Sequence, residues 1–568
     1  MPQHRALQIS EIILEIFRYV SDTSPSRTAD LAALARCCRS FKDQALDQLW
    51  SEMDDVEALL SLIPPLSESY HPRGSHTVRC YKLDRHMTPC DWVRFDHYAR
   101  RIFSLTYKPL YDSGNICCAE VFFHLRREKN ASLLPRLRTL VWHPPKEIPF
   151  TGRRFLEALS VCPSSLTKLH ISGGGRYPED GGWRDDPLFN ATLEKLPIFF
   201  PQLQSFEASG DLPRCHFDFA GLLLDLRHFD NNHIFSAAST ILPEGLRSLS
   251  RLPRLETLSL HDVDMDAILL SPAPVGFPSL TRLDICVIGI TEFLYILSLL
   301  SPEPLKEIFI EDFSANTHTW ISAFPHLSPF TSLQTINIVA SISSSYEDGD
   351  HSIDSCMSIL GPLLVLHQLS DVEIKSGGHL QTILLWTDEN VRQVACAWPY
   401  LRLLKLHFPS VGPSIKSLGF FAEFCPRLRC ASISVTLSDP GDLATCQSTH
   451  QSNHPLHWLM FGTTVNPPDP PVLAEYLHRL FPSLDALHGM DYFNDVEYTE
   501  EVLRLLRLRQ LERKMCLGAV ATVCVSPLHV PSFAHCGRCR VCLPAPLKCP
   551  PNTCHLQRHG SAMRDFRS

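Results

Sequence analysis

The chain has 568 residues, 44% hydrophobic and 20% charged, with 44 prolines against 25 glycines and a formal net charge of −9. That length exceeds one compact core and calls for several domains or a repeat array, and the composition is that of a globular chain built from many short elements. The acidic balance gives no electrostatic footprint for nucleic acid, whose binders show basic stripes, and no window of eighteen or more residues is free of both charge and polar breaks, so no membrane span is expected and the expected partner is another protein.

In chain order, "MPQHRALQISEIILEIFRYV" is broken by Glu11, Glu15 and Arg18 and is not read as a secretory signal. The 21 cysteines then read as reduced thiols, mostly small buried hydrophobes. Ile9, Ile12, Ile13, Ile16, Phe17 and Val20 recur at the spacing of an amphipathic helix, with Ser10 as its N-cap. After a turn containing Pro25, Leu31, Leu34, Ala35 and Cys38 mark a second helix starting near Thr28, and Phe41, Ala45, Leu46, Leu49 and Trp50 a third. Cys38 takes the apolar stripe beside Leu34 and Phe41, and Cys37 lies off it. Three short helices make a small core and leave apolar surface for a partner; from periodicity alone, a helical cap on the rest of the chain is an equal reading.

The segments "ALQISEIILEIFRYV" and "LAALARCCRSFKDQALDQLW" together resemble an F-box of the kind common in fungal F-box proteins, and residues 1–64 are assigned to it. Ser10 stands where that family usually has proline; either residue starts a helix. The resemblance implies docking on a Skp-type adaptor within a cullin-RING ubiquitin ligase, in the cytoplasm and/or nucleus. It also implies an adaptor-binding surface among Ile9, Ile12, Ile13, Ile16, Phe17, Leu34, Cys38, Phe41, Leu46 and Trp50. Part of that set must be internal core; the first helix is assigned mainly to the partner and Trp50 to the core.

Residues 65–102 form a linker region, in which Trp92, Phe95, Tyr98 and Ile102 predict a helix fixing the F-box against the next domain. From residue 103 to 511 a motif recurs, as in "LPRLRTLVW", "LPRLETLSL", "FPSLTRLDI" and "CPRLRCASI". Its marker leucines are Leu137, Leu166, Leu203, Leu255, Leu280, Leu305, Leu333, Leu369, Leu401, Leu428 and Leu484, with Leu226 and Leu456 filling the two wide gaps. Each unit reads as a strand plus a return helix such as "GRRFLEALSVC" or "VLAEYLHRLF", which cannot bury its own face and must stack. The whole is an α/β chain: a three-helix F-box followed by a solenoid that resembles leucine-rich repeats, with parallel strands on its concave face. The copies are degenerate, and a non-repetitive α/β domain is the alternative.

No phosphate loop, His-Glu-x-x-His or Gly-x-Ser-x-Gly motif is present, so no catalytic residue and no cofactor are expected. The charge runs "REKN" and "LRLLRLRQLERK" read as solvated helix faces. The tail, residues 512–568, carries Cys536 and Cys539, then Cys549 and Cys554, which could complete a tetrahedral zinc site. Pro544, Pro546, Pro550 and Pro551 resist compact structure there, and a disordered extension or an intron read as coding sequence explains the composition equally well. The functional expectation is a substrate-recognition adaptor of an SCF-type ubiquitin ligase, itself not an enzyme, whose solenoid holds an unidentified protein target. The alternatives are a scaffold whose F-box-like helices only cap the solenoid, and a zinc-dependent nucleic-acid module in the tail.

Overall fold

The computed structural model describes residues 9–523 apart from 24–26, 74–75, 109–118, 144–149, 175–185, 213–221, 233–242, 261–275, 314–320, 341–351, 377–381, 408–409, 437–452, 465–468 and 490–495. The four tail cysteines considered for zinc lie outside the described residues. The chain divides into two units, Met1–Leu511 and Glu512–Ser568.

The N-terminal segment forms three helices, α1 (Ser10–Thr23), α2 (Arg27–Cys37) and α3 (Arg39–Ser51). Ser10 is the first helical residue, and Ile9 precedes it, its carbonyl accepting from the Ile13 N–H at 3.1 Å. Ile13, Phe17, Leu31 and Ala45 make a separate small core, with Phe17 meeting Phe41 edge-on at 5.5 Å between ring centroids. Cys38 is not on the second helix, contrary to the stripe expected of it. Its backbone is extended (φ −158°, ψ 164°), so it divides α2 from α3, and its Sγ lies 3.1 Å from Ser40 Oγ. Cys37 ends α2, and its Sγ donates to the Ala33 carbonyl at 3.3 Å. The two thiols straddle a helix break instead of sharing one helix surface.

Beyond these helices, fifteen strands among the described residues lie in a single parallel sheet whose neighbours are in chain order, from Glu52–Met53 to Ala486–Gly489. Thirteen of them begin two residues after a marker leucine: Leu137 precedes Thr139–Trp142, Leu255 precedes Thr257–Leu260, and Leu484 precedes Ala486–Gly489. Every marker leucine is buried. Strand alternation then puts the third and fifth residues after the marker into the core as well. One such row runs in register through Leu105, Leu140, Leu169, Phe206, Phe229, Leu258 and Leu283. Burial of each such side chain contributes about 1.5–3 kcal/mol.

The step between repeats is a backbone device. The residue after each marker and the next one both donate their N–H to a single carbonyl in the preceding repeat: Arg138 and Thr139 to Phe103 O at 2.8 and 3.1 Å, Thr281 and Arg282 to Glu256 O at 2.9 and 3.1 Å. At Gly173 and Gly210, paired in register, a Cβ on Gly210 (φ +67°) would meet Gly173 O at 2.3 Å, so only glycine fits.

Two described strands of this sheet precede the first marker leucine. Glu52–Met53 pairs with Ser104–Tyr107, and each begins two residues after Trp50 and Ile102, which therefore hold marker positions. Between them lie an antiparallel hairpin, Leu66–Arg73 with His76–Leu83, and the helix Pro89–Ala99, in which Phe95 and, just beyond its end, Ile102 are buried as the spacing predicted. Thr88 and Asp91 cap that helix reciprocally. The Arg85 guanidinium forks onto Asp91 at 2.7 and 3.0 Å and, with Thr88, holds its carboxyl far below the usual range. In the "REKN" run, Lys129 is not solvated: it bonds Asp96 at 2.5 Å and lies 5.3 and 5.2 Å from the Trp92 and Phe95 ring centroids. Its long stem covers apolar surface while the charge finds a partner. At the other end the helix Val496–Val523 buries Val502 and Leu506 in the main core, and Gln510 donates to Leu484 O at 2.7 Å.

A pair of neighbours on opposite faces of one strand tests this arrangement. Leu258→Ala is expected to cost about 2–5 kcal/mol, and Thr257→Ala no more than about 0.5 kcal/mol, read as a large and a negligible fall in the urea midpoint.

Candidate functional site

The residues singled out in the first helix separate into two faces. Ile13 and Phe17 are 3% and 1% exposed and pin α1 to α2 and α3, whereas Ile9, Ile12 and Ile16 are 46%, 39% and 41% exposed. At 100° per residue the exposed three form one stripe, with the exposed Tyr19 extending it. Of the remaining candidates, Leu46 is buried, and Leu34, Cys38, Phe41 and Trp50 are half-buried. Leu34 and Phe41 pack on the small helical core. Trp50 instead packs against the sheet's core and meets the Tyr98 ring at 4.5 Å. The helical period identifies both stripes, but only packing decides which one is covered.

The junction between α3 and the sheet is built around Arg101, a residue that no sequence motif singles out. Its side chain is 6% exposed. It donates to Asp43 O at 3.0 Å and Asp43 Oδ1 at 2.8 Å, and it bonds Asp47 Oδ1. Asp43 and Asp47 are four residues apart, hence on one face of α3. Phe103 N donates to Ser51 O at 2.9 Å, the first step of the sheet's ladder, and Arg27 bonds Glu52 at 3.2 Å. The signal in the sequence was an Asp-x-x-x-Asp pair on the third helix, which has no meaning until Arg101 is brought to it.

The open face of the sheet carries His170, Glu207, Asp230, Ser259 and Asp284 side by side in one row. His170 Nε2 lies 2.9 Å from Ser209 Oγ and 3.4 Å from Glu207 Oε1. Glu207 and Asp230 are directly opposite each other, an unfavourable pairing of like charges. The nearby cation, Arg282, is engaged by Asp284 at 3.3 Å and Glu307 at 3.1 Å. Burial, with Glu207 and Asp284 adding to it, pushes the Asp230 carboxyl up to about 6. Burial, with His170 and Lys108 adding to it, pulls His143 down to about 4. Further along, Leu403, Cys430 and Trp458 succeed one another in register as an apolar row, beside a row in which Glu373 and Lys405 pair at 3.2 Å.

A three-helix module built into the first strand of a leucine-rich-repeat-like parallel α/β sheet defines the class. The chain carries an F-box-like domain: residues 10–55 match the F-box-like family. Among solved structures the chain is similar to the yeast complex of Rad7 and Elc1, at 12% identity and TM-score 0.32 over 65% of this chain and 81% of that one. It is also similar to the leucine-rich repeat-containing protein LegL7 of Legionella pneumophila, at 9% identity and TM-score 0.28 over 65% of this chain and 97% of that one. No curated protein matches the chain. The F-box-like domain supports an adaptor role.

The burial and charge described give two expected outcomes. Phe17→Ala is expected to cost about 3–5 kcal/mol and to unfold the helical module in circular dichroism, while Ile16→Ala leaves it folded. Between about pH 4 and 6 folded Asp230 holds a proton that the unfolded chain has released, so its contribution falls as pH rises. His143, depressed when folded, contributes a rise over that window. Asp230→Asn should therefore raise stability above pH 6 by about 3 kcal/mol and leave a rising slope, measured as unfolding free energy against pH.

Proposed function

We propose that this chain is a substrate-recognition adaptor of an SCF-type cullin-RING ubiquitin ligase. Its F-box-like domain docks on a Skp-type adaptor, and the open face of its repeat sheet holds a protein target, in the cytoplasm or nucleus. The observation that carries this reading is the exposed Ile12 and Ile16 stripe, continued by Ile9 just before the helix, on a helix whose other apolar face is already buried, at the start of the segment, residues 10–55, that matches the F-box-like family. An uncovered aliphatic stripe held on a folded helix is the form of a helix-in-groove or helix-bundle contact. The chain's contribution to ubiquitin transfer is proximity: it brings a target lysine to a charged conjugating enzyme.

A scaffold reading in which these helices only cap the sheet draws on a separate observation, the ladder step from Ser51 O to Phe103 N. One experiment separates the two. In a pull-down with purified Skp-type adaptor, the combined Ile12→Asp and Ile16→Asp variant should lose affinity by about thirtyfold or more while keeping its helical signal. Failure of the unmodified chain to bind, or undiminished binding by the variant, would sink the ligase reading.

A further inference from the structure

We propose that Arg101 is the positioning residue that holds the F-box-like helices at one fixed orientation to the repeat sheet. The purpose of that orientation rests on the ligase reading above, but the clamp itself does not.

Four features of the junction support it. First, the small helical core of Ile13, Phe17, Leu31 and Ala45 is separate from the sheet's core, so apolar packing within α1 to α3 does not by itself set their angle to the repeats. Second, the covalent join gives little: α3 ends at Ser51 and the two-residue strand Glu52–Met53 comes at once, at the edge of the sheet. A two-residue edge strand has few hydrogen bonds with which to resist twisting. Third, the guanidinium of Arg101 reaches α3 at two carboxylates one helical turn apart and at one backbone carbonyl. A planar fork gripping two points along a helix resists rotation about its axis as well as separation, which a lysine's single point charge would not. Fourth, Arg101 is anchored from behind. It is adjacent to Ile102, which holds a buried marker position, and its stem is itself buried, whereas Asp43 and Asp47 are largely exposed on α3. His97, on the helix Pro89–Ala99, contacts the same guanidinium at 3.4 Å. Tyr98 meets Trp50 alongside, so the two rings form a hinge point and the ion pairs set the angle around it.

The test uses the full chain carrying two dyes on non-natural residues at Arg39, on α3, and Gln393, on a helix of a distant repeat; both positions are exposed. Single-molecule energy transfer reads the distribution of their separation, alone and with purified Skp-type adaptor. The unmodified chain should give one narrow distribution in both conditions. Arg101→Met, which keeps the apolar stem, should broaden it, and Arg101→Lys should restore it only in part. Asp43→Asn combined with Asp47→Asn should broaden it to the same degree, with no further change when Arg101→Met is added. The thermal unfolding of the repeat sheet and the adaptor affinity should be unchanged in Arg101→Met, which a general loss of structure would not allow. A broad distribution in the unmodified chain, an unaltered one in Arg101→Met, or additive effects of the two sets of substitutions would overturn the proposal. Absence of adaptor binding by every form would instead count against the ligase reading and leave the clamp standing.

Discussion

A single carbonyl accepting two successive N–H groups from the next repeat sets the spacing of the whole sheet. The step recurs from Phe103 with Arg138 and Thr139 to His457 with Asp485 and Ala486, and a single bond from Phe103 N to Ser51 O precedes it. It forces the chain to turn into each strand at the same point, two residues after a side chain that must be buried. Leucine meets that requirement in thirteen of the fifteen units, and its burial in turn fixes which strand residues face the core and which remain on the open face. No unit closes its own ladder, so both ends of the sheet need something to end on.

The two ends are finished differently. At the C-terminal side of the sheet, Val502, Leu506 and Gln510 of a long helix cover the last repeat. At the N-terminal side the ladder begins on the last residue of α3, with Trp50 in the marker position and Arg101 reaching back to Asp43 and Asp47. The F-box-like helices are thus part of the fold that positions the open face. This arrangement leaves α1 with only one of its apolar faces covered.

On the open face, the like-charged Glu207 and Asp230 oppose each other, with His170 beside the first and Ser259 bonded to the second. Repeat proteins tolerate such local cost because each unit is stabilised mainly by its neighbours, so a strained row is carried by the rows on either side.

The marker leucines, the return helices and the three N-terminal helices were legible because each depends on residues close in sequence. A leucine before an alternating run, or an apolar stripe at three-and-four spacing, has one economical structure. Trp50 and Ile102 escaped notice as repeat positions because each already belonged to a helical stripe, and the step that reveals them, Ser51 to Phe103, joins residues about fifty apart. Cys38 and Lys129 were misplaced for a related reason. Periodicity extends a helix until something contradicts it, and it treats a charge as solvated until a ring is found beneath it. Sequence alone therefore determined that this is an F-box-like segment followed by a stacked α/β repeat. Only the tertiary structure decided which isoleucines are left uncovered and that Arg101 meets Asp43 and Asp47, because both depend on contacts between segments that the local pattern cannot bring together.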